Sequence, residues 1–428
     1  MALKPGCDPI FDGRGVARDA QGRPVRTSPA AASAPRLTDI DFETSPFVVV
    51  WETTQACDLA CRHCRAETQP RRHPDELSTL EAMRLMNDVR QFGRPLFVLS
   101  GGDPLKRPDI VALVKHGARL GLRVALAAGT TLVTPDLLAE LRDVGLARLS
   151  VSLDGSTAEV HDGLRVPGSW SWANRTLAAA RELGLPTQVD TTVSRRNLDD
   201  FDRLAAAVAR MDIALWSVFF LVPLGRAALE DVLRPEEFES VFQRMYDLSL
   251  TAPFVIKSTA APQYRRVVLQ RQVAARRMGG GGALPAALTA GSDFALPDGA
   301  HAAKGVGDGN GFLFVGHTGE IYPSGFLPIS AGNVRTDDIV EVYRTAPLFR
   351  QLRDRACLKG KCSVCEYRDL CGGNRSRAFA VTGDPLEADP FCAHLPVRYQ
   401  RMVEAGEAQP VDDYFRDRVR VERALPAV

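Results

Sequence analysis

The sequence lacks a dominant charge and any long apolar run. Its 428 residues carry 53 basic and 52 acidic side chains, so the formal net charge is +1. This balance gives no indication of a basic surface that would bind nucleic acid or an anionic membrane. No apolar segment approaches the roughly 20 residues that cross a bilayer, and the start, MALKPGCDPIFDGRG, lacks the apolar core of a secretory signal. We therefore expect a cytoplasmic protein with no nucleic-acid or membrane partner.

Cysteine is also scarce, and its distribution is uneven. There are nine cysteines, and all but Cys7 fall into two groups. In a reducing compartment, clustered cysteines favour metal or redox roles over structural disulfides.

Short apolar segments alternate with amphipathic segments from residue 47 onward. Six β/α units in series imply a parallel sheet, either an open barrel or a doubly wound sheet, and both collect ligands at the carboxyl ends of the strands. Ser78 and Glu81 predict a capping box at the first helix. The predicted strands are 47–54, 95–102, 123–130, 148–155, 187–193 and 214–223, and the predicted helices include 78–93, 135–145, 171–184 and 201–211.

Composition divides the chain into five segments. Residues 1–44 are rich in Pro, Ala, Gly and Arg and predict a loosely ordered arm, and 45–232 hold the β/α units. Within 233–311, residues 235–275 have a helical pattern, and the Gly-rich stretch 278–311 serves either as a linker or as a lid over a substrate. Residues 312–400 form a second domain that begins with a hairpin around His317–Gly319, and 401–428 form a tail.

Three cysteines follow the first predicted strand with the spacing C-x3-C-x2-C: Cys57, Cys61 and Cys64. They could form one helical stripe of small buried residues, but polar residues lie between them. A zinc ion would need a fourth ligand, and His63 is poorly placed to join its own neighbours. A [4Fe–4S] cluster held by three thiolates, with one iron open to a ligand, is the remaining option.

The segment CDLACRHC resembles the signature of the radical S-adenosylmethionine (radical SAM) superfamily. SGGDP (100–104), SVSLDG (150–155), HDGLR (161–165) and FFLVPLGRA (219–227) resemble further motifs of that family, although Asp103 replaces the commoner glutamate. The resemblance implies a partial (β/α)6 TIM-like barrel and an enzyme that reductively cleaves SAM to a 5′-deoxyadenosyl radical, which abstracts a substrate hydrogen. It implies an external electron donor such as flavodoxin or ferredoxin, and it assigns no catalytic side chain. The residues it implies around SAM are Gly101, Gly102, Asp103, Ser152, Asp154, Arg165 and Val222.

The second cysteine group lies between residues 357 and 392, and its spacing also suits a structural zinc. The region resembles the SPASM or twitch extension of radical SAM enzymes, which carries auxiliary [4Fe–4S] clusters. Ser324, Asn374 and Arg375 stand where a full SPASM domain would have cysteines, so the resemblance implies one auxiliary cluster. Its implied ligands are Cys362, Cys365, Cys371 and Cys392, which leaves Cys357 and Cys7 as free thiols.

Several segments are similar to the branch that modifies tetrapyrroles in the haem d1 and alternative haem pathways, among them KSTAAPQYRR (257–266) and PSGFLPISAGNVR (323–335). This likeness implies radical attack on a propionate side chain. Four arginines could bind the propionates, or could instead be solvated or paired with local acids: Arg226, Arg265, Arg266 and Arg375. A SPASM-type peptide maturase and a non-catalytic metal-binding interaction protein are the alternative functions.

Overall fold

The computed structural model describes residues 10–11, 17–18, 40–66, 68–129, 132–277 and 305–416. The chain divides into two units, Met1–Arg36 and Leu37–Val428. In the first unit, strands β1 (Ile10–Phe11) and β2 (Ala17–Arg18) pair antiparallel. Cys7, most of the predicted arm, most of the Gly-rich stretch and the end of the predicted tail lie outside the described residues.

All six predicted strands are present, and each is parallel to the next. Their order in the sheet follows their order in the chain, whereas a doubly wound sheet would reverse direction at a switch point. The open-barrel alternative is therefore confirmed. The strands are β3 (Val48–Glu52), β4 (Leu96–Ser100), β5 (Arg123–Ala128), β6 (Arg148–Ser152), β7 (Thr187–Val193) and β8 (Leu215–Phe220).

Helices connect these strands and pack on one face of the sheet. The predicted capping box is present: the hydroxyl of Ser78 accepts from the backbone N–H of Glu81, whose carboxylate accepts from the backbone N–H of Ser78. The helices are α1 (Thr79–Val89), α2 (Ile110–Arg119), α3 (Pro135–Asp143), α4 (Ala158–Leu164), α5 (Ser169–Glu182) and α6 (Phe201–Val208).

The prediction of a helical segment over 235–275 is wrong in its middle. The segment forms α7 (Pro235–Ser249), a seventh strand β9 (Val255–Thr259) and α8 (Gln263–Arg277). β9 adds to the sheet parallel to β8. Its β-branched residues favour a strand, and Pro253 disfavours a helix through this stretch.

The predicted hairpin around His317–Gly319 is confirmed, with β10 (Phe312–Val315) antiparallel to β11 (Glu320–Tyr322). β10 also pairs parallel with β3, and β12 (Gly332–Asn333) follows β11, so the hairpin extends the same sheet beyond its first strand. The segment after it is helical: α9 (Ile339–Thr345), α10 (Pro347–Arg353), α11 (Gly360–Ser363), α12 (Arg375–Thr382), α13 (Val397–Glu404) and α14 (Val411–Arg416).

The barrel strands alternate between an outer apolar face and an inner polar face. On β6, Leu149 and Val151 are wholly buried in the apolar core, while Ser150 and Ser152 line an internal cavity. This alternation places polar side chains inside the barrel. No helix in the described part of the chain is long and apolar enough to cross a bilayer.

Candidate active site

The first cysteine group lies on an irregular loop directly after β3. No helix forms over residues 57–64, so the alternative of a buried helical stripe is wrong. The loop is fixed by backbone bonds: the N–H of Cys57 donates to the carbonyl of Gln69 at 2.8 Å, and the N–H of Arg62 donates to the carbonyl of Leu164 at 2.9 Å. Cys61 is buried and the other two cysteines are half-buried.

The glycine segment after β4 packs backbone to backbone against this loop. A Cβ on Gly101, whose φ is +146°, would lie 2.5 Å from the carbonyl oxygen of Thr54, and one on Gly102 would lie 2.4 Å from that of Ala56. The N–H groups of Gly102 and Asp103 donate to the same two carbonyls at 2.8 and 2.7 Å. Only glycine fits at both positions, because any side chain would push the two loops apart.

A third segment, after β8, closes the cysteine loop from the other side. Gly225 has a φ of +60°, and a Cβ there would lie 2.5 Å from the carbonyl oxygen of Arg65. Arg226 donates to the carbonyl of Cys64 through its backbone N–H and to the carbonyl of Cys61 through Nε, at 2.9 and 2.8 Å. Arg226 therefore holds the loop in place.

The cysteine loop opens onto a cavity of about 230 Å³ at the carboxyl ends of the strands. Asp103 and Asp154 do not line it. Asp103 caps a short 3-10 turn by accepting from the N–H of Leu105 at 3.1 Å. The predicted residues that line the cavity are Cys57, Cys61, Cys64, Gly101, Gly102, Ser152, Arg165 and Val222.

Arg165 enters the cavity and is held by Asp154. Its Nε donates to Oδ2 of Asp154 at 2.5 Å, and its terminal nitrogen lies 3.7 Å from the sulfur of Cys61. Burial alone would raise the pKa of Asp154, but the charge of Arg165 and further partners hold it below the usual value. The guanidinium therefore lies beside the thiols as a positioned positive charge, which suits a carboxylate ligand.

His63 lies against the same pair, with Nε2 3.5 Å from Oδ2 of Asp154. Burial lowers the pKa of His63 and of His161 to about 4, so both imidazoles are neutral at pH 7. The backbone N–H of Asp154 donates to Nδ1 of His161 at 3.0 Å. Because both rings are neutral, they contact Asp154 and leave Arg165 as its ion-pair partner.

The inner face of the barrel carries polar residues that the sequence interpretation missed. Asp190 lines the cavity, accepts from the hydroxyl of Ser150, and accepts from the amide of Gln188 at 2.7 Å. Burial raises the pKa of Asp190. Gln188 in turn accepts from Arg148 at 3.1 Å. The signal that could have found them is the strand alternation, because each lies two or four residues from a residue that lines the cavity.

A buried ion-pair chain connects the cysteine loop to the hairpin. Glu52, at the end of β3, accepts from Arg65 at 3.1 Å and lies 3.1 Å from Nδ1 of His317. Arg65 also lies over the ring of Phe314, 4.6 Å from its centroid. The residue that follows Cys64 is therefore held by side chains from the first strand and from the hairpin.

Four cysteines of the second group extend from α11, which contains Cys362, to the segment before α13; Cys362 is buried, and Cys365, Cys371 and Cys392 are half-buried. Lys361 donates to the carbonyl of Cys392 at 2.5 Å. A wholly buried ion pair, Arg377–Asp389 at 2.7 Å, stands nearby, and Gln263 of α8 donates to Asp389 at 2.6 Å. The group is thereby joined to the barrel.

Two of the residues that stand where a full SPASM domain would have cysteines have structural roles in this chain. The hydroxyl of Ser324 accepts from the N–H of Phe326, whose ring lines the cavity, and Asn374 caps α12. Cys357 lies 3.5 Å from Oδ2 of Asp354.

The four arginines considered for propionate binding have partners within the protein. Arg226 holds the cysteine loop, and Arg265 donates to the carbonyl of Val306 at 2.8 Å. Arg266 pairs with Glu239, and Arg375 donates to the carbonyls of Pro385 and Glu387. These contacts favour the alternative in which the four side chains serve the fold.

Comparison with known proteins gives matches over most of the chain. The model of the Radical SAM superfamily matches residues 51–208. An AdoMet-dependent heme synthase of Methanosarcina barkeri (strain Fusaro / DSM 804) is 37% identical over 360 residues, which cover 83% of this chain and 99% of the relative. A PqqA peptide cyclase of Rhodopseudomonas palustris (strain ATCC BAA-98 / CGA009) is 29% identical over 85% of this chain and 91% of the relative.

Among solved structures, native anSMEcpe with bound AdoMet superposes with a TM-score of 0.59. The two chains are 16% identical, and the match covers 86% of this chain and 99% of that one. At this identity the likeness concerns the fold alone.

Proposed function

The chain belongs to the radical SAM superfamily, and from that premise we propose that it removes carboxyl groups from propionate side chains of a tetrapyrrole. Membership makes it an enzyme, with a [4Fe–4S] cluster and SAM as its cofactors, and rules out the non-catalytic alternative. The observation that carries the substrate proposal is the 37% identity to a heme synthase over 99% of that relative.

The loop of Cys57, Cys61 and Cys64 would hold the cluster. Three thiols beside a cavity suit a cluster that keeps one iron open to a ligand in the cavity. The backbone of Gly101 and Gly102 packs so closely against the cysteine loop that a side chain at either position would clash. When bound, the cluster and SAM would supply the radical chemistry that removes one hydrogen atom from a propionate; loss of carbon dioxide, and of one electron to an acceptor, would then leave a vinyl group.

The protein would orient SAM around this loop. In our proposal Arg165 binds the methionine carboxylate, the backbone of Gly101–Asp103 meets the amine, and Ser152 and Val222 border the nucleoside. Asp154 acts through Arg165, because it is wholly buried behind that guanidinium. Asp103 shapes the turn that presents the backbone groups.

Cys362, Cys365, Cys371 and Cys392 would hold an auxiliary [4Fe–4S] cluster that accepts the departing electron. A single tetrahedral zinc with bonds of about 2.3 Å needs ligand atoms about 3.8 Å apart. In the described part of the chain, the metal-ligating trio with atoms within 4.8 Å of one another is Cys365, Glu366 and His394, and no three of these four cysteines form such a trio. The choice of an iron–sulfur cluster over zinc rests on the likeness of this region to the SPASM or twitch extension.

We also propose a cytoplasmic location and an external one-electron donor such as flavodoxin or ferredoxin. The reducing cytoplasm would keep the free thiols available for cluster assembly.

The test is anaerobic turnover of the reconstituted full-length chain with SAM, dithionite and iron coproporphyrin III. We expect 5′-deoxyadenosine, together with a porphyrin that has lost one carbon dioxide and two hydrogen atoms for each converted propionate. Mass spectrometry identifies both products, and a reaction without SAM is the control. An unchanged porphyrin would overturn the substrate proposal, and modification of a precursor peptide instead would favour the peptide-maturase alternative.

A further inference from the structure

The side chain of Arg375 ends beside the second cysteine group with one nitrogen unused. Arg375 is 2% exposed, and its Nη1 donates to the carbonyls of Pro385 and Glu387. Its Nη2 is buried and has no hydrogen-bond partner among the described residues. A Cβ on Gly373 would lie 2.3 Å from this Nη2 and 3.3 Å from the sulfur of Cys362, so nitrogen and sulfur approach the same point from two sides. Because a buried N–H without an acceptor is costly, we expect this nitrogen to meet a group that binds next to Cys362.

Two further cations lie beside other cysteines of the group. Lys361 is 4% exposed, and its Nζ donates to the carbonyl of Cys392 at 2.5 Å. Arg355 is half-buried, and a Cβ on Gly372, the residue after Cys371, would lie 2.1 Å from its Nη1. Three of the four cysteines therefore have a positive side chain in their surroundings.

The three cations form no ion pair within residues 40–66, 68–129, 132–277 and 305–416. Carboxylates of the same segment have partners of their own, in the pairs Glu366–His394, Asp369–Arg368, Asp384–Lys359 and Asp389–Arg377. Burial lowers the pKa of Arg355 to about 10, and the charge of Arg375 adds to this, against opposing effects of Cys371 and Asp369, so Arg355 remains positive at pH 7.

Grouped cations in a buried position are unfavourable unless an anion joins them. Four thiolates outweigh the positive charge of a [4Fe–4S] core, so the loaded second site would supply that anion. Reduction adds one more negative charge, and nearby positive charges and N–H···S hydrogen bonds make reduction more favourable.

The surroundings of the first cysteine group differ in this respect. Arg65 and Arg165 each form an ion pair with a buried carboxylate, which offsets their charge. Arg226 has no carboxylate partner, but it is exposed, and solvent screens its charge. The protein therefore favours reduction more at the second group than at the first.

We propose that Arg355, Lys361 and Arg375 raise the reduction potential of the auxiliary cluster, and that Arg375 donates a hydrogen bond from Nη2 to a sulfur of that cluster. This inference rests on the proposed function, in which the auxiliary cluster takes up the electron released when a propionate loses carbon dioxide. A cluster with this role must be easier to reduce than the cluster that gives an electron to SAM. The three side chains would create that difference.

The test is an anaerobic redox titration of the full-length reconstituted chain, followed by electron paramagnetic resonance. Added SAM changes the signal of the cluster with an open iron, so the signal that stays constant belongs to the auxiliary cluster. Arg375→Met should lower the equilibrium constant for its reduction at least tenfold, which for one electron is a potential about 59 mV more negative. Arg375→Lys should recover part of the shift, because an ammonium keeps the charge without the planar geometry.

Two further variants keep the result interpretable. Arg353→Met is the matched control: this buried arginine donates to the carbonyls of Tyr343 and Arg344, so its loss should reduce stability and leave both potentials unchanged. Arg355→Met removes a charge without removing a hydrogen bond within the described part of the chain, so it should fold as the wild type does and still lower the potential. About eight irons per chain show that a variant retains both clusters. If Arg375→Met loses iron, Arg355→Met decides.

The outcomes separate this claim from the proposed function. If the wild type has two redox couples and converts the porphyrin, and the potential of the auxiliary cluster is unchanged in the iron-replete variants, the role of the cations is wrong and the function stands. If the potential shifts as expected but the porphyrin is not converted, the substrate proposal fails and the role of the cations stands. A wild type without a second redox couple would overturn the auxiliary cluster, and this inference with it.

Discussion

The two cysteine groups differ in how the protein holds them. Cys57, Cys61 and Cys64 lie within eight residues on a loop that is fixed by backbone contacts with two glycine segments, and they face a cavity. The second group is spread over residues 362–392 and is braced by charged side chains, among them a wholly buried ion pair. Burial raises the pKa of Cys57 to about 11 and that of Cys392 to about 12.

A metal bound at either group would displace the thiol protons, but the two groups suit different chemistry. A loop with three thiols and a cavity leaves one metal position for a ligand. A group with four thiols can satisfy its metal completely, which suits electron transfer or structure.

Cys61→Ala should reduce 5′-deoxyadenosine formation to the level of the enzyme-free reaction, because two thiols cannot retain the cluster beside SAM. Chromatography of the anaerobic reaction with dithionite measures the product. Cys357→Ala is the matched control and should retain wild-type activity, since its thiol contacts Asp354 and no proposed cluster. Equal losses in the two variants would contradict the ligand assignment.

Replacement of both Cys362 and Cys371 by Ala should abolish conversion of the porphyrin and preserve formation of 5′-deoxyadenosine from SAM, because the two remaining thiols of the second group cannot retain a cluster. Iron content should fall from about eight to about four atoms per chain, as expected for the loss of one of two [4Fe–4S] clusters. Metal analysis that finds about four irons and one zinc in the wild type would show that the second group holds zinc.

Asp389→Asn should lower the free energy of unfolding by about 3–5 kcal/mol, because it leaves the buried guanidinium of Arg377 without a counter-charge. Burial opposes ionisation of Asp389, but Arg377 and further hydrogen bonds hold the pKa of this carboxyl below its usual value of 3.8. The carboxylate therefore stabilises the fold above pH 3.8, and this contribution is lost as the pH falls through the lowered pKa.

Denaturant unfolding at several pH values measures this effect, and the difference between wild type and Asp389→Asn should shrink below pH 3.8. Asp143→Asn, in an exposed pair with Arg142, should cost less than about 1 kcal/mol at any pH. A large effect in the exposed pair, or none in the buried one, would contradict the argument from burial.

Arg165→Met should raise the KM for SAM about 10- to 100-fold, the range for a lost charge-assisted bond to a carboxylate. Arg165→Lys should recover part of the affinity, because its single ammonium keeps the charge without the planar geometry. Initial rates of 5′-deoxyadenosine formation at varied SAM give the KM, and Arg175→Met on the outer helix is the control. A change in kcat alone would argue against a role in SAM binding.

The strands and the first cysteine loop were predictable because their signals are local. Short runs of apolar and β-branched residues identify β3–β8, and C-x3-C-x2-C identifies its own site. β9 has the same length as β3, β4 and β6, and its β-branched residues could have identified it, but the helical interpretation of residues 235–275 overrode that signal. The parallel pairing of β10 with β3 was missed because the two strands are more than 250 residues apart.

Side-chain roles were harder to predict than elements. Arg226 and Arg375 carry the guanidinium groups that a propionate site would need, but these groups donate to carbonyls of their own chain. A charge can be assigned to binding or to folding only when its partners are known.

The pairing of β10 with β3 has a practical consequence for work on this protein. A truncated chain that ended after β8 would leave one side of β3 bare and would strip His317 from Glu52, the carboxylate that holds Arg65 next to the last thiol of the loop. Such a fragment would expose an unprotected strand edge, which invites aggregation. Expression and crystallisation designs should therefore keep both ends of the sheet together.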